Sequence, residues 1–433
     1  MDLLTANDRA GEYPKSYYAA TAKPLERFPP LQGQVTCDVC VVGGGFMGLS
    51  SALHLARRGY DVVLLDAQRV GFGASGRNGG QVGQGQRVEQ DELEQMLGVE
   101  HAHSLWRLAN QSVDLVKELA ASDHVQADFH PGIIHADHRQ RYGHHSRAYV
   151  EKLNADYGYD QIRYLDQEEM RHLVGSPAYF SGTLDMGAGH IHPLAFAFGL
   201  ARLARAAGVR IYEESKVSHI TEDTQVKLRT ETGQVLASQV VLGCNGYLGD
   251  LAPRVATKVM PINNYVVATK PIAPKLQEKL IRNNYAVADS KFVVNYFRFS
   301  DDHRLLFGGT ESYGYQFPTD IAKAVRRPLR EIFPQIGDIE IDYAWGGTLG
   351  ITMNRMPHFE RLSGKVMSLS GFSGHGVAMA TLAGQIAAEM VAGQAERFDA
   401  FARIPSQNFP GGPRFRSPLL VLAMLWYSLR DRL

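Results

Sequence analysis

Residues 41–67, with the sequence VVGGGFMGLSSALHLARRGYDVVLLDA, place three glycines and a carboxylate at a spacing that suits nucleotide binding. Gly43 permits a sharp turn, Gly45 lets the backbone approach a pyrophosphate, and Gly48 lets a helix pack closely on a strand. Asp66 follows about 20 residues later, where a carboxylate can accept hydrogen bonds from ribose hydroxyls. A carboxylate there repels a 2′-phosphate, so the pattern disfavours NADP and leaves NAD and FAD open. A purely structural glycine turn is the alternative.

A strand, a helix and a second strand are needed to position these residues. Cys37–Val42 is a short apolar run, Met47–Arg58 has apolar residues at helical spacing, and Asp61–Leu65 is again apolar and β-branched. This order predicts a strand–turn–helix–strand unit with the glycines in the first turn. The unpaired N–H groups and the dipole at the start of the helix would then favour phosphate groups.

The composition limits the class of protein. The chain has 433 residues, of which 45% are hydrophobic and 21% are charged, so it can bury a large core and form two domains. Its 45 basic and 45 acidic residues cancel, which argues against nucleic acid or another polyanion as a partner. The first residues, MDLLTANDRAGEYPKSYY, lack the pattern of a secretory signal. We therefore expect a cytoplasmic location.

The cysteines are Cys37, Cys40 and Cys244, too few for a disulfide framework or a four-thiolate metal site, and we predict no metal. Cys37 and Cys40 lie three residues apart on the first predicted strand, where side chains at this spacing point to opposite faces. We therefore interpret them as core residues rather than as a redox pair.

Near the end of the chain, Pro418–Leu429 is an apolar segment that is too short to span a bilayer. It could dock on the protein's own core as a helix, or it could make a weak interfacial contact with a membrane. Docking on the core is the interpretation that we favour.

Two further segments extend the pattern of alternating strands and helices. HPLAFAFGLARLARAAGVRIY, at 192–212, predicts a helix that begins near Pro193, ends at Gly208 and runs into a strand. KVMSLSGFSGHGVAMATLAGQIAAEMVAG, at 365–393, predicts a strand, a glycine-rich turn and an apolar helix. These segments predict an α/β fold with an α+β insert. The predicted Rossmann-like nucleotide domain is discontinuous (1–119, 190–248 and 345–433), and the β-rich substrate domain comprises 120–189 and 249–344.

The order of several motifs resembles that of the D-amino-acid oxidase-like FAD-dependent oxidoreductases, which include glycine and sarcosine oxidases. The resemblance covers nearly the whole chain. Besides the first glycine turn, its motifs are GFGASGRNGGQ (71–81), GHIHPLAFAFGLARLARAAGVRI (189–211), VVLGCNGY (240–247) and GFSGHGVAMA (371–380). Within that superfamily, γ-glutamylputrescine oxidoreductases are similar at SYYAAT (16–21), FPPL (28–31), MNRMPHF (353–359) and the terminal FPGG…WYSLRDRL.

The resemblance implies FAD rather than NAD. It places 73–81 along the pyrophosphate and the flavin, and it directs the amides at the start of the last helix toward the pyrimidine oxygens of the flavin. Fixed dipoles there would stabilise the negative charge that reduction puts on the ring. The expected cofactor contacts are Gly43, Gly45, Phe46, Met47, Gly48, Asp66, Ala67, Gly73, Ala74, Ser75, Gly79, Gly80, Gln81, Val217, Asn245, Gly246, Gly374, His375, Gly376, Val377 and Ala378.

Sarcosine oxidases of this superfamily attach FAD covalently through a cysteine in the region that resembles WGGTLGITMNRMPHF, at 345–359. No cysteine follows Cys244 in this sequence. We therefore expect non-covalent FAD, although the count does not address a histidyl or tyrosyl link.

The chemistry follows from the cofactor. FAD takes a hydride equivalent from a carbon that bears an amine, water hydrolyses the resulting imine, and the reduced flavin passes electrons to oxygen or another acceptor. A dry pocket lowers the pKa of the substrate ammonium, so a dedicated base is not required. The candidate substrate contacts are His190, Tyr265, Tyr296 and Arg298.

Each of these candidates has a structural alternative. Arg298 could clamp a substrate carboxylate, as an arginine does in glycine and D-amino-acid oxidases, or it could form an ion pair with Asp301 or Asp302. For His190 a structural role is favoured, and the two tyrosines could simply be core aromatics.

Three functions fit these observations. The first is oxidation of γ-glutamylputrescine, or of a related γ-glutamyl-polyamine, to an aldehyde, with oxygen as the acceptor and release of ammonia and hydrogen peroxide. The second is an oxidase or dehydrogenase of a secondary or small amino acid such as pipecolate, sarcosine, glycine or proline, with oxygen or a quinone as the acceptor. The third is a flavin-binding subunit without turnover. We favour the first.

Overall fold

The computed structural model describes residues 2–312 and 314–410. Its helices are α1 (Tyr17–Thr21), α2 (Phe46–Arg57), α3 (Gln90–Leu97), α4 (Val99–Ala120), α5 (Tyr142–Tyr157), α6 (Gln167–Leu173), α7 (Pro193–Ala206), α8 (Pro253–Ala256), α9 (Pro274–Leu280), α10 (Ile321–Ile332), α11 (Gly376–Val391) and α12 (Glu396–Ala402). Its strands are β1 (Gly33–Val42), β2 (Val62–Leu65), β3 (Gln81–Val82), β4 (His130–Asp137), β5 (Ile162–Leu165), β6 (Ser181–His190), β7 (Arg210–Tyr212), β8 (His219–Glu222), β9 (Val226–Arg229), β10 (Gly233–Leu242), β11 (Met260–Pro271), β12 (Ala286–Asp289), β13 (Tyr296–Phe299), β14 (Arg304–Ser312), β15 (Ile341–Ile351), β16 (His358–Arg361) and β17 (Val366–Ser370).

The first sheet contains the predicted nucleotide unit. Its strand order is β16-β17-β10-β1-β2-β7, and β9 and β8 continue from β10. The pairs that join β17, β10, β1, β2 and β7 are all parallel, as strands connected by crossover helices require. Helix α2 packs on α7 and α11 in one apolar cluster. The predicted strand–helix–strand order is thus confirmed, and so is the α/β class.

The second sheet has the order β15-β11-β14-β13-β12-β4-β6-β3, and β5 pairs with β6. Its neighbours are antiparallel except for β12 and β4. Strand β15 stays paired with β11 across the predicted domain boundary at 344. The division into two domains stays a prediction.

Both faces of the second sheet are buried. On β11, Val266 belongs to the cluster that contains α2, α7 and α11, and we call this side the inner face. Its neighbours Tyr265 and Val267 belong to a separate cluster that contains α10, on the outer face. Strand alternation therefore determines which side chains can meet the nucleotide unit.

A bulge in β1 changes the expected arrangement of the cysteines. The N–H groups of Asp38 and Val39 both donate to the carbonyl oxygen of Asp61, at 3.0 and 3.1 Å, so the alternation shifts by one residue. Cys37 and Cys40 consequently lie in the same apolar cluster, and the prediction of opposite faces was wrong. Both thiols are buried and free, as core residues are, and burial raises the pKa of Cys37 to about 12.

The apolar segment Pro418–Leu429 lies outside the described residues. Within 2–312 and 314–410, no helix has both the length and the apolar character needed to cross a bilayer.

The crossing of α2 and α11 depends on Gly384. A Cβ atom added there would lie 2.4 Å from the carbonyl oxygen of Met47 and 2.5 Å from the amide nitrogen of Ser51. We expect Gly384→Ala to force the helices apart and to lower the free energy of unfolding by about 1–3 kcal/mol, as overpacking does. Thermal unfolding followed by circular dichroism measures the effect. Gly364→Ala is the matched control, because nothing lies within 4 Å of an added Cβ there. Equal Tm values for the two variants would contradict the tight crossing.

Candidate functional site

The turn after β1 is held by close backbone contacts. Gly43 has a φ of +107°, which favours glycine, and its N–H donates to the carbonyl oxygen of Leu65 at 2.8 Å. A Cβ at Gly48 would lie 1.8 Å from the carbonyl oxygen of Gly43, and one at Gly45 would lie 2.9 Å from Oγ of Ser75. Gly43 and Gly48 therefore have no room for a side chain, and a side chain at Gly45 would press on Ser75.

Asp66 follows β2 and closes the same turn. Its Oδ2 accepts a hydrogen bond from the N–H of Gly44 at 2.6 Å, and its Oδ1 accepts one from the N–H of Gln68 at 2.7 Å. Each carboxylate oxygen has a further lone pair that can accept a bond from a ribose hydroxyl. Desolvation raises the pKa of Asp66 to about 6, and Glu213 adds to the shift.

A second loop, 73–81, lies beside this turn. The Asn78 side chain donates to the carbonyl oxygens of Ala74 and Ser75, and its Oδ1 accepts from the N–H of Gly80 at 2.8 Å. Oγ of Ser75 accepts from the N–H of Phe46 at 3.0 Å, which joins the loop to the start of α2. The loop is therefore ordered by its own contacts before any ligand is considered.

The start of α11 forms a third side of the site. His375 is the N-cap residue, but its side chain makes no capping hydrogen bond to the first turn. The preceding turn has positive φ angles at Gly371 and Gly374, of 74° and 96°. Oδ1 of Asn245 accepts from the N–H of Gly371 at 2.9 Å, which joins the end of β10 to this turn. The first-turn amides of α11 thus lack a side-chain cap.

An interior hollow lies among these segments. His135 is exposed and His375 is partly exposed, yet desolvation lowers the pKa of His135 to about 4 and that of His375 to about 3. Arg87 is exposed and has a lowered pKa, and Cys244 is partly exposed and has a pKa raised to about 12, again chiefly through desolvation. Accessible surface on desolvated side chains indicates a cavity enclosed by protein rather than open solvent. Nδ1 of His375 is also buried without a partner in the described part of the chain.

These features fit FAD. The glycine turn and Asp66 would hold the adenosine and pyrophosphate, and the amides at the start of α11 would face the flavin. The segments that carry the predicted cofactor residues contact one another. Gly45 lies close to Ser75, and the Asp66 carboxylate accepts a hydrogen bond from the N–H of Gly44. The N–H of Ser215, two residues before Val217, donates to the carbonyl oxygen of Asp66. The individual cofactor contacts of the predicted residues stay predictions.

Tyr296 is the substrate candidate that the structure places beside the flavin loop. It lies on β13, and its ring occupies the space of a Cβ at Gly79, with atoms 2.7 Å away. Its hydroxyl donates to Oδ1 of Asn264 on β11. Tyr296 therefore links the loop to the inner face of the second sheet.

Tyr265 lies on the outer face of the second sheet, so the structure does not place it beside Tyr296, and its role as a substrate contact stays a prediction. Its hydroxyl bonds to Oγ of Ser312, and its ring packs edge-on against Phe317 with a centroid distance of 5.6 Å. Because alternate residues of a strand face opposite sides, the preceding residue, Asn264, faces the site instead.

The guanidinium of Arg298 is engaged by other groups of the protein, and its role as a substrate contact stays a prediction. Its guanidinium donates to the backbone carbonyls of Gly79, Ile191 and Phe299 at 2.8, 3.0 and 3.2 Å, and to the Tyr18 hydroxyl at 3.4 Å. Four of the five N–H donors of an arginine are thereby used, which leaves no fork for a carboxylate. The alternative, an ion pair of Arg298 with Asp301 or Asp302, is wrong, because Asp302 pairs with Arg304 and Asp301 lies next to His130.

His190 occupies a structural position. It is buried, its Nε2 bonds to the carbonyl oxygen of Asn284 at 2.8 Å, and its ring stacks on His130 with a centroid distance of 5.0 Å. Burial and the nearby Arg298 charge hold the pKa of His190 well below its usual range. The geometry supports the structural interpretation over a substrate contact.

The sequence interpretation did not single out two polar residues that lie on the inner face, His135 and Asn264. Residues that lie directly opposite each other on neighbouring strands form a row across the inner face, and His135 is part of this row. Asn264 and Glu311 form a pair in the adjacent row. The sequence pattern does not mark His135 and Asn264, because both strands contain further polar residues and β11 is buried on both faces. The members of the first row are His135, Ala288, Tyr296, Gly308, Val266 and Trp345.

The fold and the site together define an FAD-dependent oxidoreductase. The family described as "FAD dependent oxidoreductase" (DAO) matches residues 38–390, and the chain belongs to this family. FAD is the cofactor that the family implies. The predicted family, the cofactor and the status as an enzyme are thereby confirmed.

Particular relatives are similar over nearly the whole chain. A "Probable oxidoreductase OrdL" from Rhizobium meliloti is 42% identical over 418 residues, which are 96% of this chain and 97% of the relative. A "Gamma-glutamylputrescine oxidoreductase" from Escherichia coli is 41% identical over 426 residues, which are 98% and 99% of the two chains. Among solved structures, glycine oxidase from Geobacillus kaustophilus aligns with a TM-score of 0.71 at 21% identity, covering 83% of this chain and 95% of that one, and it supports the fold.

Gly45→Val tests the nucleotide turn. A valine side chain would collide with Ser75 and fill the approach to the pyrophosphate, so we expect the variant to lose bound FAD while it keeps most of its structure. The measurement is the flavin absorbance of the purified protein relative to its protein content, beside circular dichroism. Undiminished flavin content would show that the turn has a structural role only.

Asp66 predicts a pH dependence of cofactor binding. The ionised carboxylate accepts the ribose hydrogen bonds, and the pKa of Asp66 in the free protein is raised to about 6. FAD affinity should therefore be fully present above about pH 6 and should fall, by up to about tenfold per pH unit, as the pH drops below it. Quenching of FAD fluorescence by the apoprotein between pH 5 and 8 gives the Kd. Asp66→Asn should bind FAD more weakly and without this slope; an identical slope in that variant would assign the titration to another group.

Proposed function

We propose that this chain is an amine oxidase that acts on γ-glutamylputrescine or a related γ-glutamyl-polyamine. The products would be an aldehyde, ammonia and hydrogen peroxide, with oxygen as the electron acceptor. The similarity to the Escherichia coli γ-glutamylputrescine oxidoreductase over nearly both full lengths supports this substrate class.

The hydrogen bonds of Arg298 are the observation that favours a γ-glutamylated diamine over a small α-amino acid as the substrate. A small α-amino acid presents its carboxylate next to the amine that is oxidised, so its site needs a cation beside the flavin. The Arg298 guanidinium is committed to backbone carbonyls instead. A γ-glutamylated diamine carries its carboxylate many bonds away from the reacting amine, and it needs no such clamp.

Bound FAD would accept a hydride equivalent from the carbon next to the amine. Tyr296 and Asn264 lie on the inner face beside the flavin loop, and their oxygens can accept hydrogen bonds from the substrate amine. His135 and His375 have pKa values lowered to about 4 and 3, so both imidazoles stay neutral at physiological pH and do not repel an ammonium group. The desolvation that lowers these pKa values would also lower the pKa of the substrate ammonium and favour the neutral amine.

We also propose that FAD is held non-covalently. Cys244 is the last cysteine of the sequence, and it lies near Asp66, at the adenosine side of the site. Acid precipitation of the purified protein should release all of the flavin into the supernatant as FAD. Yellow colour that stays in the pellet would contradict this proposal. The cytoplasmic location stays a prediction.

A substrate panel tests the proposed function. Peroxide production should give γ-glutamylputrescine a kcat/KM at least about tenfold above those of pipecolate, sarcosine, glycine and free putrescine, a difference of about 1.4 kcal/mol in transition-state binding. Free putrescine is the matched control, because it has the same reacting amine without the γ-glutamyl group. Faster turnover of pipecolate would support a secondary amino acid oxidase. Flavin reduction under anaerobic conditions without peroxide formation in air would indicate an acceptor other than oxygen.

A further inference from the structure

The first residues of the chain pack on the segment that follows β2, and we call residues 4–13 the N-terminal segment. The buried side chain of Gln68 joins the two. Its Nε2 donates to the carbonyl oxygen of Leu4 at 2.8 Å, and its Oε1 accepts from the N–H of Gly11 at 2.7 Å. The family match begins at residue 38, so the family assignment covers none of the N-terminal segment.

Asp8 of this segment forms an ion pair with Arg77, which lies in the flavin loop 73–81. The guanidinium donates from Nη1 to Oδ2 of Asp8 at 2.9 Å, and the two side chains are 1% and 13% exposed. It also donates to the carbonyl oxygens of Phe72 and Gly346, at 2.6 and 3.1 Å. Its Nη2 is buried without a partner in the described part of the chain. Without Asp8, the positive charge would stay buried with carbonyl contacts alone, which is costly.

The second sheet contacts both members of this pair or their neighbours. Nε1 of Trp345 on β15 donates to the carbonyl oxygen of Arg77 at 2.9 Å. Asn7, next to Asp8, donates from Nδ2 to the carbonyl oxygen of Tyr315 at 2.8 Å, and its Oδ1 accepts from the N–H of Phe317 at 2.7 Å. The N-terminal segment thus bridges the flavin loop and the segment that follows β14.

We propose that Asp8 is a positioning residue for FAD: its ion pair with Arg77 fixes the flavin loop in the conformation that binds the cofactor. Arg298 anchors the loop at Gly79, and Asp8 anchors it two residues earlier. Loss of the Asp8 carboxylate would favour conformations in which Arg77 reaches water and carries the loop away from its site. A cofactor that binds only the anchored conformation then has its Kd raised by the inverse of the fraction that is anchored.

The affinity for FAD tests this role, and this first test rests on the non-covalent binding proposed above. Asp8→Ala should raise the Kd of the apoprotein for FAD by about 10- to 100-fold, measured by fluorescence quenching, and Asp8→Glu should keep part of the affinity because it keeps the carboxylate. Asp2→Ala is the matched control, because it removes a carboxylate from the same end of the chain, where Asp2 pairs with the exposed Lys216. An unchanged Kd in Asp8→Ala, or an equal increase in Asp2→Ala, would overturn the proposal.

A double-mutant cycle separates an effect through Arg77 from a general loosening of the chain. In the Arg77→Met background the partner of Asp8 is already lost, so Asp8→Ala should change the Kd by less than about twofold there. Independent effects would instead multiply. Fold-changes that multiply would show that Asp8 acts elsewhere and would overturn the proposal.

Amide hydrogen exchange of the holoenzyme follows the loop without any release of FAD. Asp8→Ala should exchange at least about twofold faster than the wild type in residues 72–81 and at the same rate in α11. Unchanged exchange in 72–81, or faster exchange spread evenly over the chain, would overturn the proposal. Covalent FAD would contradict the proposed non-covalent binding and leave this measurement decisive for Asp8, and a different substrate would leave the inference intact.

Discussion

The buried guanidinium of Arg298 joins the parts of the molecule that form the site. From β13 it reaches the carbonyl of Gly79 in the flavin loop and the carbonyl of Ile191 just before α7. A buried charge is costly unless its hydrogen bonds are satisfied, so these carbonyls must stay where the guanidinium holds them. The loop that would follow the cofactor is thereby fixed relative to the sheet that would receive the substrate. The same hydrogen bonds leave the guanidinium without two parallel donors for a carboxylate, and this supports the substrate class that we propose.

Close backbone packing forms the other half of the site. At the glycine turn, the carbonyl of Gly43 lies where a Cβ of Gly48 would be, and Ser75 limits the space at Gly45. These contacts bring the start of α2, Asp66 and the loop 73–81 together without a ligand. The cradle is therefore largely pre-formed, as cofactor sites commonly are, and little ordering would accompany FAD binding.

The sequence was a good guide to elements that depend on local pattern. The glycine turn, the helices that begin at Phe46 and Pro193, and the final β17–α11 unit all follow from periodicity and glycine placement, and the motif order identified the family. The errors came from relations between strands and from long-range contacts. Strand β11 is buried on both faces, so its sequence has no polar alternation to show that Asn264 rather than Tyr265 faces the site. The partners of Arg298 include backbone carbonyls that are distant in the chain, and backbone carbonyls have no sequence signature.

The distribution of charge in the hollow is consistent with the chemistry that is proposed for it. Amine oxidation by FAD requires the neutral amine, and an ammonium group in water has a pKa near 10.4, as in lysine. Burial that lowers the pKa values of His135 and His375 to about 4 and 3 acts in the same direction on a substrate ammonium. The nearby charge of Arg87, which lowers both histidine pKa values further, would also favour the neutral amine.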